Sequence, residues 1–220
     1  MDNYLGAKNG SGVYQAIINL LPPHDTYIEP FLGTGAVMRR KAPSSRCIGV
    51  DLNKKCIDSI DYAAELYNEC AFKFLTSFDF STQSRTVVYA DPPYLPSTRT
   101  SNARYEHELS YEQHVELLDI LKSLPCFVIL SGYRSKLYDD MLSGWWSTSF
   151  QAMTRGGVRT ETIWCNFEPK EQHYHTFAGK NFTDRQRIKR KAERWVKNYS
   201  NLPKGERQAI LSALLEVDHS

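Results

Sequence analysis

Five short and almost continuously apolar segments, rich in β-branched and aromatic residues, constrain the fold of this 220-residue chain most strongly. They are residues 26–30, 46–51, 85–91, 126–132 and 161–167. Such segments are typical of strands buried on both faces of a sheet. Between the segments, apolar residues recur at helical spacing over 53–68, 111–123 and 134–142. The alternation predicts a Rossmann-like α/β fold, with a mostly parallel sheet flanked by helices.

Composition excludes several classes of protein. Hydrophobic residues make up 41% of the chain and charged residues 24%, as in ordinary globular proteins. No apolar run approaches the ~20 residues that a bilayer-crossing helix needs, and the start MDNYLGAKNG lacks the pattern of a secretory signal. We therefore expect a cytoplasmic protein. The five cysteines and six histidines lack metal-ligand spacing, so no metal site and no disulfide framework is expected.

Charge divides the chain unevenly. Residues 1–179 hold 17 Lys and Arg against 20 Asp and Glu, a net charge of −3, whereas residues 180–220 hold 10 against 5, a net charge of +5. The basic segment carries two helical patterns, DRQRIKRKAERWVKNY and LPKGERQAILSALLEV. We expect a main domain over 1–178 and a basic C-terminal helical extension over 179–220, with a polyanionic partner.

The segment IEPFLGTGAV follows the first strand and is expected to lead into a helix. Gly33 and Gly35 allow a tight turn and a close approach to a ligand. Asp51 ends the second strand, where an acid can accept hydrogen bonds from ribose hydroxyls. Because Ala36 and Val37 replace the third glycine of the dinucleotide fingerprint, the pattern favours a nucleoside cofactor such as S-adenosylmethionine over a dinucleotide.

The segment VVYADPPYLP ends the third strand with a carboxylate, two prolines and an aromatic ring. In open α/β sheets the carboxyl ends of the strands carry the ligands. The Asp91 carboxylate and the backbone carbonyls of Pro92 and Pro93 can accept the N–H groups of a planar exocyclic amine, while Tyr94 can stack on its base. The motif is therefore suited to methylating an amino group on a flipped-out base.

These motifs together resemble the Dam-like DNA adenine N6-methyltransferases, the D12 class, and most closely their small phage- and prophage-type members. YLGAK resembles the family's N-terminal cofactor motif, EPFLGTGAV its glycine turn and DPPY its catalytic motif. The resemblance implies that the cofactor is bound by Tyr4, Lys8, Glu29, Pro30, Phe31, Gly33, Gly35, Asp51 and Asp91. It implies catalytic roles for Asp91, Pro92, Pro93 and Tyr94.

The activity implied by the resemblance is transfer of a methyl group from S-adenosylmethionine to N6 of an adenine in double-stranded DNA. The amine attacks the methyl group directly, without a covalent enzyme intermediate, and Asp91 acts as an acceptor and positioner. Protection of phage DNA from restriction is implied by the resemblance as well.

Two features depart from the family pattern. Only 39 residues separate Asp51 from Asp91, so a separate target-recognition domain does not fit between them. This predicts short or relaxed sequence specificity, with recognition by residues 95–110, by a hairpin tip at 154–159 and by the C-terminal helices. The family also places an acid near the cofactor's adenine; Glu69, Cys70 or Asp79 could occupy that position, and the sequence does not select one.

Basic and aromatic residues outside these motifs are candidates for contacts with DNA. They are Arg99, Arg104, Tyr105, Arg155, Arg187, Lys191 and Arg194. The apolar face of the first C-terminal helix, with Trp195 and Tyr199, is expected to pack against the main domain or against a second subunit, which allows a homodimer.

Other functions remain as alternatives. N4-cytosine methylation and RNA amino-methylation use related motifs, and a non-catalytic DNA-binding decoy would retain the pocket without the chemistry. Cys126 follows Pro125, as the nucleophile of cytosine-C5 methyltransferases does, but it enters a strand and is expected to point into the core. A nicotinamide oxidoreductase is disfavoured by the missing third glycine.

Overall fold

The computed structural model describes residue 8 and residues 12–82, 85–98, 107–154, 157–170 and 182–218. The chain divides into two compact units, residues 1–176 and residues 177–220. None of the helices in the described residues is long and apolar enough to cross a membrane.

One sheet organises the first unit. Its strands are β1 (Thr26–Glu29), β2 (Arg46–Val50), β3 (Glu65–Tyr67), β4 (Thr86–Ala90), β5 (Phe127–Gly132), β6 (Trp146–Thr154) and β7 (Gly157–Cys165). They lie in the order β3-β2-β1-β4-β5-β7-β6, in which β1 pairs in parallel with both β2 and β4. Strand β7 runs antiparallel to β5 and to β6. This arrangement confirms the predicted α/β fold.

Helices flank the sheet. They are α1 (Val13–Ile18), α2 (Lys54–Asp58), α3 (Ala71–Ser77), α4 (Tyr111–Ser123) and α5 (Lys136–Met141). Helix α4 spans the residues predicted for it. Its capping box explains why it begins there: the Ser110 hydroxyl accepts a hydrogen bond from Gln113 N–H, and the Gln113 side chain accepts one from Ser110 N–H.

The core lies on both faces of the sheet because alternate residues of each central strand point to opposite sides. In β4, Val88 and Ala90 join a cluster with residues of α3 and α4, whereas Val87 and Tyr89 join a second cluster with residues of α1. All four side chains are fully buried. The strand is therefore fixed on both faces up to Ala90, and Asp91 emerges at its carboxyl end in a defined position.

The helix predicted over 53–68 is wrong. Helix α2 ends at Asp58, and residues 65–67 form the edge strand β3, paired in parallel with β2. Tertiary contacts override the helical pattern here: Leu66 lies near Gly49 of β2, and Arg46 forms a bidentate ion pair with Glu65. Pairing with β2 thus decides the structure of a segment whose local pattern is ambiguous.

The helix expected after the glycine turn is also replaced by consecutive turns over residues 36–40. Arg39 N–H still donates to Gly35 O and Lys41 N–H to Val37 O, as in a helix. However, Met38 N–H donates to the Glu29 carboxylate, which removes a donor from the helical ladder. Pro43 then prevents continuation of the segment as a helix.

The hairpin of β6 and β7 was only partly predicted. Pairing extends from Trp146↔Cys165 to Thr154↔Gly157, which confirms a hairpin tip at 154–159. Strand β7 begins at Gly157, four residues before the predicted start at 161. Its first four residues are paired with β6 but largely exposed, so they lack the apolar pattern on which the prediction depended. In β6, Trp146, Thr148, Phe150 and Ala152 alternate with polar residues, a half-buried pattern that the sequence analysis missed.

The second unit consists of α6 (Phe182–Ser200) and α7 (Lys204–Asp218), the two helices predicted for the basic extension. The Tyr199 hydroxyl donates a hydrogen bond to Arg207 O and so ties the end of α6 to the start of α7. Several apolar side chains of this unit are exposed. They are Trp195, Val196, Ile210, Leu211, Leu214 and Leu215.

Candidate active site

A cavity of about 460 Å³ opens at the carboxyl ends of β1, β2 and β4. Most of the predicted cofactor and catalytic residues line it. Those that do so are Lys8, Glu29, Pro30, Phe31, Gly33, Asp51, Asp91, Pro92 and Pro93. The parallel pairing of the three strands brings these segments, distant in sequence, to one edge of the sheet. Its volume is in the range of small-molecule sites, ~300–1,000 Å³.

The glycine turn between β1 and the following turns requires glycine at two positions. Gly33 and Gly35 have φ values of 51° and 60°, in the left-handed region that other residues rarely adopt. At Gly35 a Cβ atom would lie only 2.1 Å from the Tyr62 hydroxyl oxygen. Gly35 does not itself line the cavity; it shapes the turn that does.

Asp51 joins the end of β2 to this turn. Its Oδ2 accepts a hydrogen bond of 2.8 Å from Gly33 N–H, and its Oδ1 accepts one of 2.8 Å from Asn53 N–H, which precedes α2. Each carboxylate oxygen has a second lone pair. Asp51 is therefore held in place by backbone donors at the wall of the cavity.

Glu29 is buried at the end of β1. Its Oε2 accepts hydrogen bonds from the Tyr27 hydroxyl (3.0 Å) and from Met38 N–H (3.2 Å). Burial raises the pKa of Glu29 to about 8, against the opposing effect of the hydrogen bond from Tyr27. At neutral pH the carboxyl group is thus largely protonated, and it holds the segment after the glycine turn through the hydrogen bond from Met38 N–H.

Asp91 lies beside a buried lysine. Lys8 Nζ is 2.9 Å from Asp91 Oδ1 and 3.5 Å from Glu161 Oε2, and it donates a hydrogen bond to the Tyr94 hydroxyl. The three charged side chains are 5%, 15% and 8% exposed for Lys8, Asp91 and Glu161. One ammonium group is thus shared between two carboxylates that are both shielded from water.

Burial dominates the ionisation of Asp91. It raises the pKa of this carboxyl group to about 6, because desolvation disfavours the charged form. The Lys8 ammonium acts in the opposite direction and lowers the pKa, while the Glu161 carboxylate raises it. Asp91 is consequently ionised above pH 6 and remains an acceptor at neutral pH.

Tyr94 does not line the cavity, although a stacking role was predicted for it. Its ring is buried and packs edge-on against Tyr133, with ring centroids 4.6 Å apart. The Lys8 ammonium lies 4.6 Å from the Tyr94 ring centroid. Tyr94 therefore supports Lys8 in this structure.

The cavity wall formed by α3 bears on the open question of the acid for the cofactor's adenine. Cys70, Ala71 and Phe72 line the cavity, together with Leu52, whereas Glu69 and Asp79 do not. Glu69 Oε2 lies 4.0 Å from Lys73 Nζ, and the exposed Asp79 carboxylate accepts a hydrogen bond from the Ser81 hydroxyl. The segment at Cys70 thus occupies this wall, and it presents apolar side chains and a thiol without a carboxylate.

Some predicted residues fall elsewhere. Tyr4, Arg99, Arg104, Tyr105 and Arg155 lie outside the described residues. Arg187, Lys191 and Arg194 lie on α6 of the second unit, in a stripe with Thr183, Gln186 and Arg190.

Other candidate sites do not gain support. Cys126 does not line the cavity, and burial raises the pKa of its thiol to about 12, which disfavours a nucleophilic thiolate. Within the described part of the chain, no group of three or more His, Cys, Asp or Glu side chains could hold a metal ion.

Two parts of the site were not predicted from the sequence. Glu161 of β7 was not singled out, although a carboxylate at the start of the apolar run ETIWC is a recognisable signal. Glu108, just before α4, and Gln113 and Glu116 in its first turns also line the cavity. Their contribution depends on how α4 packs, which local sequence does not reveal.

The sequence and the fold that form this site are similar to those of known proteins. Residues 59–160 match the model of the D12 class N6 adenine-specific DNA methyltransferase family. Over these residues the chain is similar to that family, which agrees with the resemblance predicted from its sequence. The match includes Asp91–Tyr94 and begins after the glycine turn.

A curated relative is the type II methyltransferase M1.LlaDCHI of Lactococcus lactis subsp. cremoris, which is 31% identical over 122 residues. The aligned region amounts to 50% of this chain and 43% of that protein, so the chain spans less than half of its length. Among solved structures, the E. cuniculi Mtq2–Trm112 complex responsible for methylation of the translation termination factor eRF1 contains a similar fold. It has a TM-score of 0.50 at 15% identity, covering 74% of this chain and 98% of that chain.

The glycine turn generates a prediction about stability. We expect Gly35→Ala to lower the free energy of unfolding by at least the ~1–2 kcal/mol that a left-handed conformation costs an alanine. The displaced Tyr62 hydroxyl should add to this loss, so the effect of Gly35→Ala should be smaller in a Tyr62→Phe background. Denaturant unfolding measures both effects.

Gly144→Ala is the matched control, because no atom lies within 4 Å of the added Cβ and its φ is not positive. It should change stability by less than ~0.5 kcal/mol. A Gly35→Ala variant as stable as the wild type would contradict the assigned turn.

Proposed function

We propose that this protein is an S-adenosylmethionine-dependent DNA methyltransferase that methylates the N6 amino group of adenine. One observation carries the proposal: the Asp91-Pro92-Pro93 segment borders the same cavity as Asp51 and the glycine turn. An amine-binding motif and a nucleoside-binding motif are thereby next to each other. The family match over 59–160 supports DNA as the substrate and adenine as the base.

The residues present fit S-adenosylmethionine. Asp51 lines the cavity with a carboxylate suited to ribose hydroxyls, the backbone at Gly33 allows close approach, and the apolar wall of Leu52, Ala71 and Phe72 suits a purine. When bound, the cofactor would supply an electrophilic methyl group attached to a positively charged sulfur. The carboxylates around the cavity favour that positive charge.

The chain's own residues then provide acceptors for the amine. The Asp91 carboxylate accepts one N–H of the adenine amino group, and a backbone carbonyl of the Pro-Pro segment accepts the other. As positive charge develops on the nitrogen, these fixed acceptors stabilise it. The alkylated nitrogen is strongly acidic and releases its proton readily, so Asp91 needs no high basicity.

The target base has to leave the duplex in this proposal. Asp91 is only 15% exposed and lies at the edge of an enclosed site, which a stacked base cannot reach. The cavity bordered by Asp91, Pro92 and Pro93 would receive the flipped-out base beside the cofactor. N4-cytosine methylation and RNA amino-methylation remain alternatives that the product of the reaction distinguishes.

The central prediction concerns Asp91. Purified protein incubated with unmethylated plasmid DNA and labelled S-adenosylmethionine should yield N6-methyl-2′-deoxyadenosine by nucleoside mass analysis. Asp91→Ala should lower the turnover number by ~10²–10³-fold or more, because it removes a fixed acceptor. Binding of S-adenosylhomocysteine, measured by calorimetry, should be largely retained.

Asp79→Ala provides the control, because Asp79 is an exposed carboxylate outside the cavity. Turnover of Asp91→Ala at the wild-type level would refute the mechanism. Label in cytosine, or in RNA only, would refute adenine in DNA as the substrate.

We further propose short or relaxed sequence specificity. Between Asp51 and β4 the described residues form only α2, β3, α3 and a short 3₁₀ turn, which leaves no room for a separate recognition domain. Mapping methylated adenines across a plasmid should therefore reveal a short or degenerate site. A single strict site of six or more base pairs would contradict this.

The basic stripe of α6 is proposed to contact DNA phosphates. Lys191 and Arg194 are exposed, and the stripe contains no acidic side chain, whereas Arg187 is bonded to Asp184. The carboxylates that line the cavity, such as Asp51 and Asp91, repel a polyanion. A basic surface elsewhere on the chain is therefore required to bind the DNA backbone.

The salt dependence of DNA binding tests this assignment. Lys191→Ala should reduce the slope of log K against log[salt] by ~0.9, the value for one lost phosphate contact. Lys189→Ala is the control, because it removes the same charge from the same helix. Lys189 lies outside the stripe and is paired with Glu193. Equal slopes for the two variants would argue against a contact specific to the stripe.

A further inference from the structure

Glu161 is a buried carboxylate that the proposed reaction does not yet use. It lies in β7, is 8% exposed, and has its Oε2 within 3.5 Å of Lys8 Nζ. The same ammonium group is 2.9 Å from Asp91 Oδ1. Burying a carboxylate is costly unless it is paired, so the position of Glu161 beside the Lys8 ammonium requires a physical explanation.

The register of the sheet places Glu161 at the edge where Asp91 lies. Ala90 of β4 is opposite Leu130 of β5, and Gly132 of β5 is opposite Thr162 of β7. Asp91 and Glu161 are the residues that follow these pairs toward the cavity. Asp91 directly follows β4 and Glu161 lies in β7, two strands away, and both carboxylates lie within 3.5 Å of the Lys8 ammonium.

We infer that Glu161 is a positioning residue, which holds the Lys8 ammonium so that the Asp91 carboxylate keeps an acceptor position open for the target amine. The inference rests on the proposed function. The ammonium has three donors, and Asp91, Glu161 and the Tyr94 hydroxyl provide three acceptors around it. The two ion pairs and the hydrogen bond to the Tyr94 hydroxyl together restrict the position of the Lys8 ammonium.

The charges support the same conclusion. The Asp91 and Glu161 side chains and the Lys8 ammonium have a formal net charge of −1, which favours the positive charge that develops on the amine nitrogen. Without Glu161 the cluster would be neutral. Lys8 would then pair with Asp91 alone and compete with the amine for its oxygens.

Removal of Glu161 also has a predictable effect on the titration of Asp91. The Glu161 carboxylate raises the pKa of Asp91 and the Lys8 ammonium lowers it. Losing Glu161 removes the first effect and strengthens the second, so the pKa of Asp91 falls below about 6. Other groups that face Asp91 remain unchanged. They are Glu29 of β1, Tyr89 of β4, Tyr94, Tyr133 and Tyr138 of α5.

The first test is kinetic. We expect Glu161→Gln to lower the turnover number by up to ~10²-fold, the effect of misplacing a reacting group by about 1 Å. The KM for DNA should change little. The acid limb of the rate profile should move to lower pH, because Asp91 loses its proton more easily. Glu161→Asp, which keeps the charge, should restore part of the rate.

Glu168→Gln is the control for the same chemical change just beyond β7, at an exposed residue paired with Lys170. It should leave the turnover number and the pH profile unchanged. A Glu161→Gln enzyme with an unaltered acid limb, whether fast or slow, overturns the inference, since a merely structural defect would lower the rate without moving the midpoint.

The second test needs no catalytic activity. A ¹³C carboxyl titration of Asp91 in the ligand-free protein, assigned with Asp91→Asn, should give a lower midpoint in Glu161→Gln than in the wild type. An equal midpoint overturns the inference. If the wild type fails to methylate DNA while this shift is present, the proposed function fails and the coupling of Glu161 to Asp91 through Lys8 stands.

Discussion

The hydrogen bond from Gly33 N–H to the Asp51 carboxylate is the interaction on which the cavity depends. It joins the turn after β1 to the end of β2, and so couples two motifs that each have limited meaning alone. The turn can only take this form because Gly33 and Gly35 adopt left-handed conformations. Asp51 in turn is fixed by a second backbone donor, Asn53 N–H. A ligand would therefore meet acceptors that are already in place, which lowers the entropy lost on binding.

Much of this site follows from the sequence because its determinants are local. A strand buried on both faces that ends in Asp91-Pro92-Pro93 predicts both the end of β4 and the position of the carboxylate. Gly33, Gly35 and Asp51 can likewise be predicted from the sequence, since each is required by backbone geometry or by the position of a strand end. Helix α4 is predictable for the same reason, because Ser110 and Gln113 cap it locally.

The remaining features depend on long-range contacts. Residues 65–67 have no clear local preference and become β3 through pairing with β2. The turns at 36–40 replace a helix because Glu29, from the preceding strand, binds Met38 N–H. Lys8 entered the site only through a family resemblance, and Glu161 was missed, since their meeting depends on the placement of β7 beside β5. Local patterns identify single groups, whereas the electrostatic environment of Asp91 requires the assembled sheet.

The charges of the chain are divided in a way that suits two ligands of opposite sign. Asp51 and Asp91 line the cavity with Lys8, and Glu161 lies beside the Lys8 ammonium, an environment that favours a cationic sulfonium and disfavours phosphate. The stripe along α6 carries the opposite sign, suited to a DNA backbone. Burial reduces the negative charge around the cavity. It raises the pKa of Glu29 to about 8, so that this group adds little negative charge at neutral pH. Asp91, with a pKa of about 6, remains ionised at the same pH because Lys8 offsets part of its desolvation. The buried lysine thus keeps the acceptor charged, and a second carboxylate is needed so that the lysine does not occupy that acceptor completely.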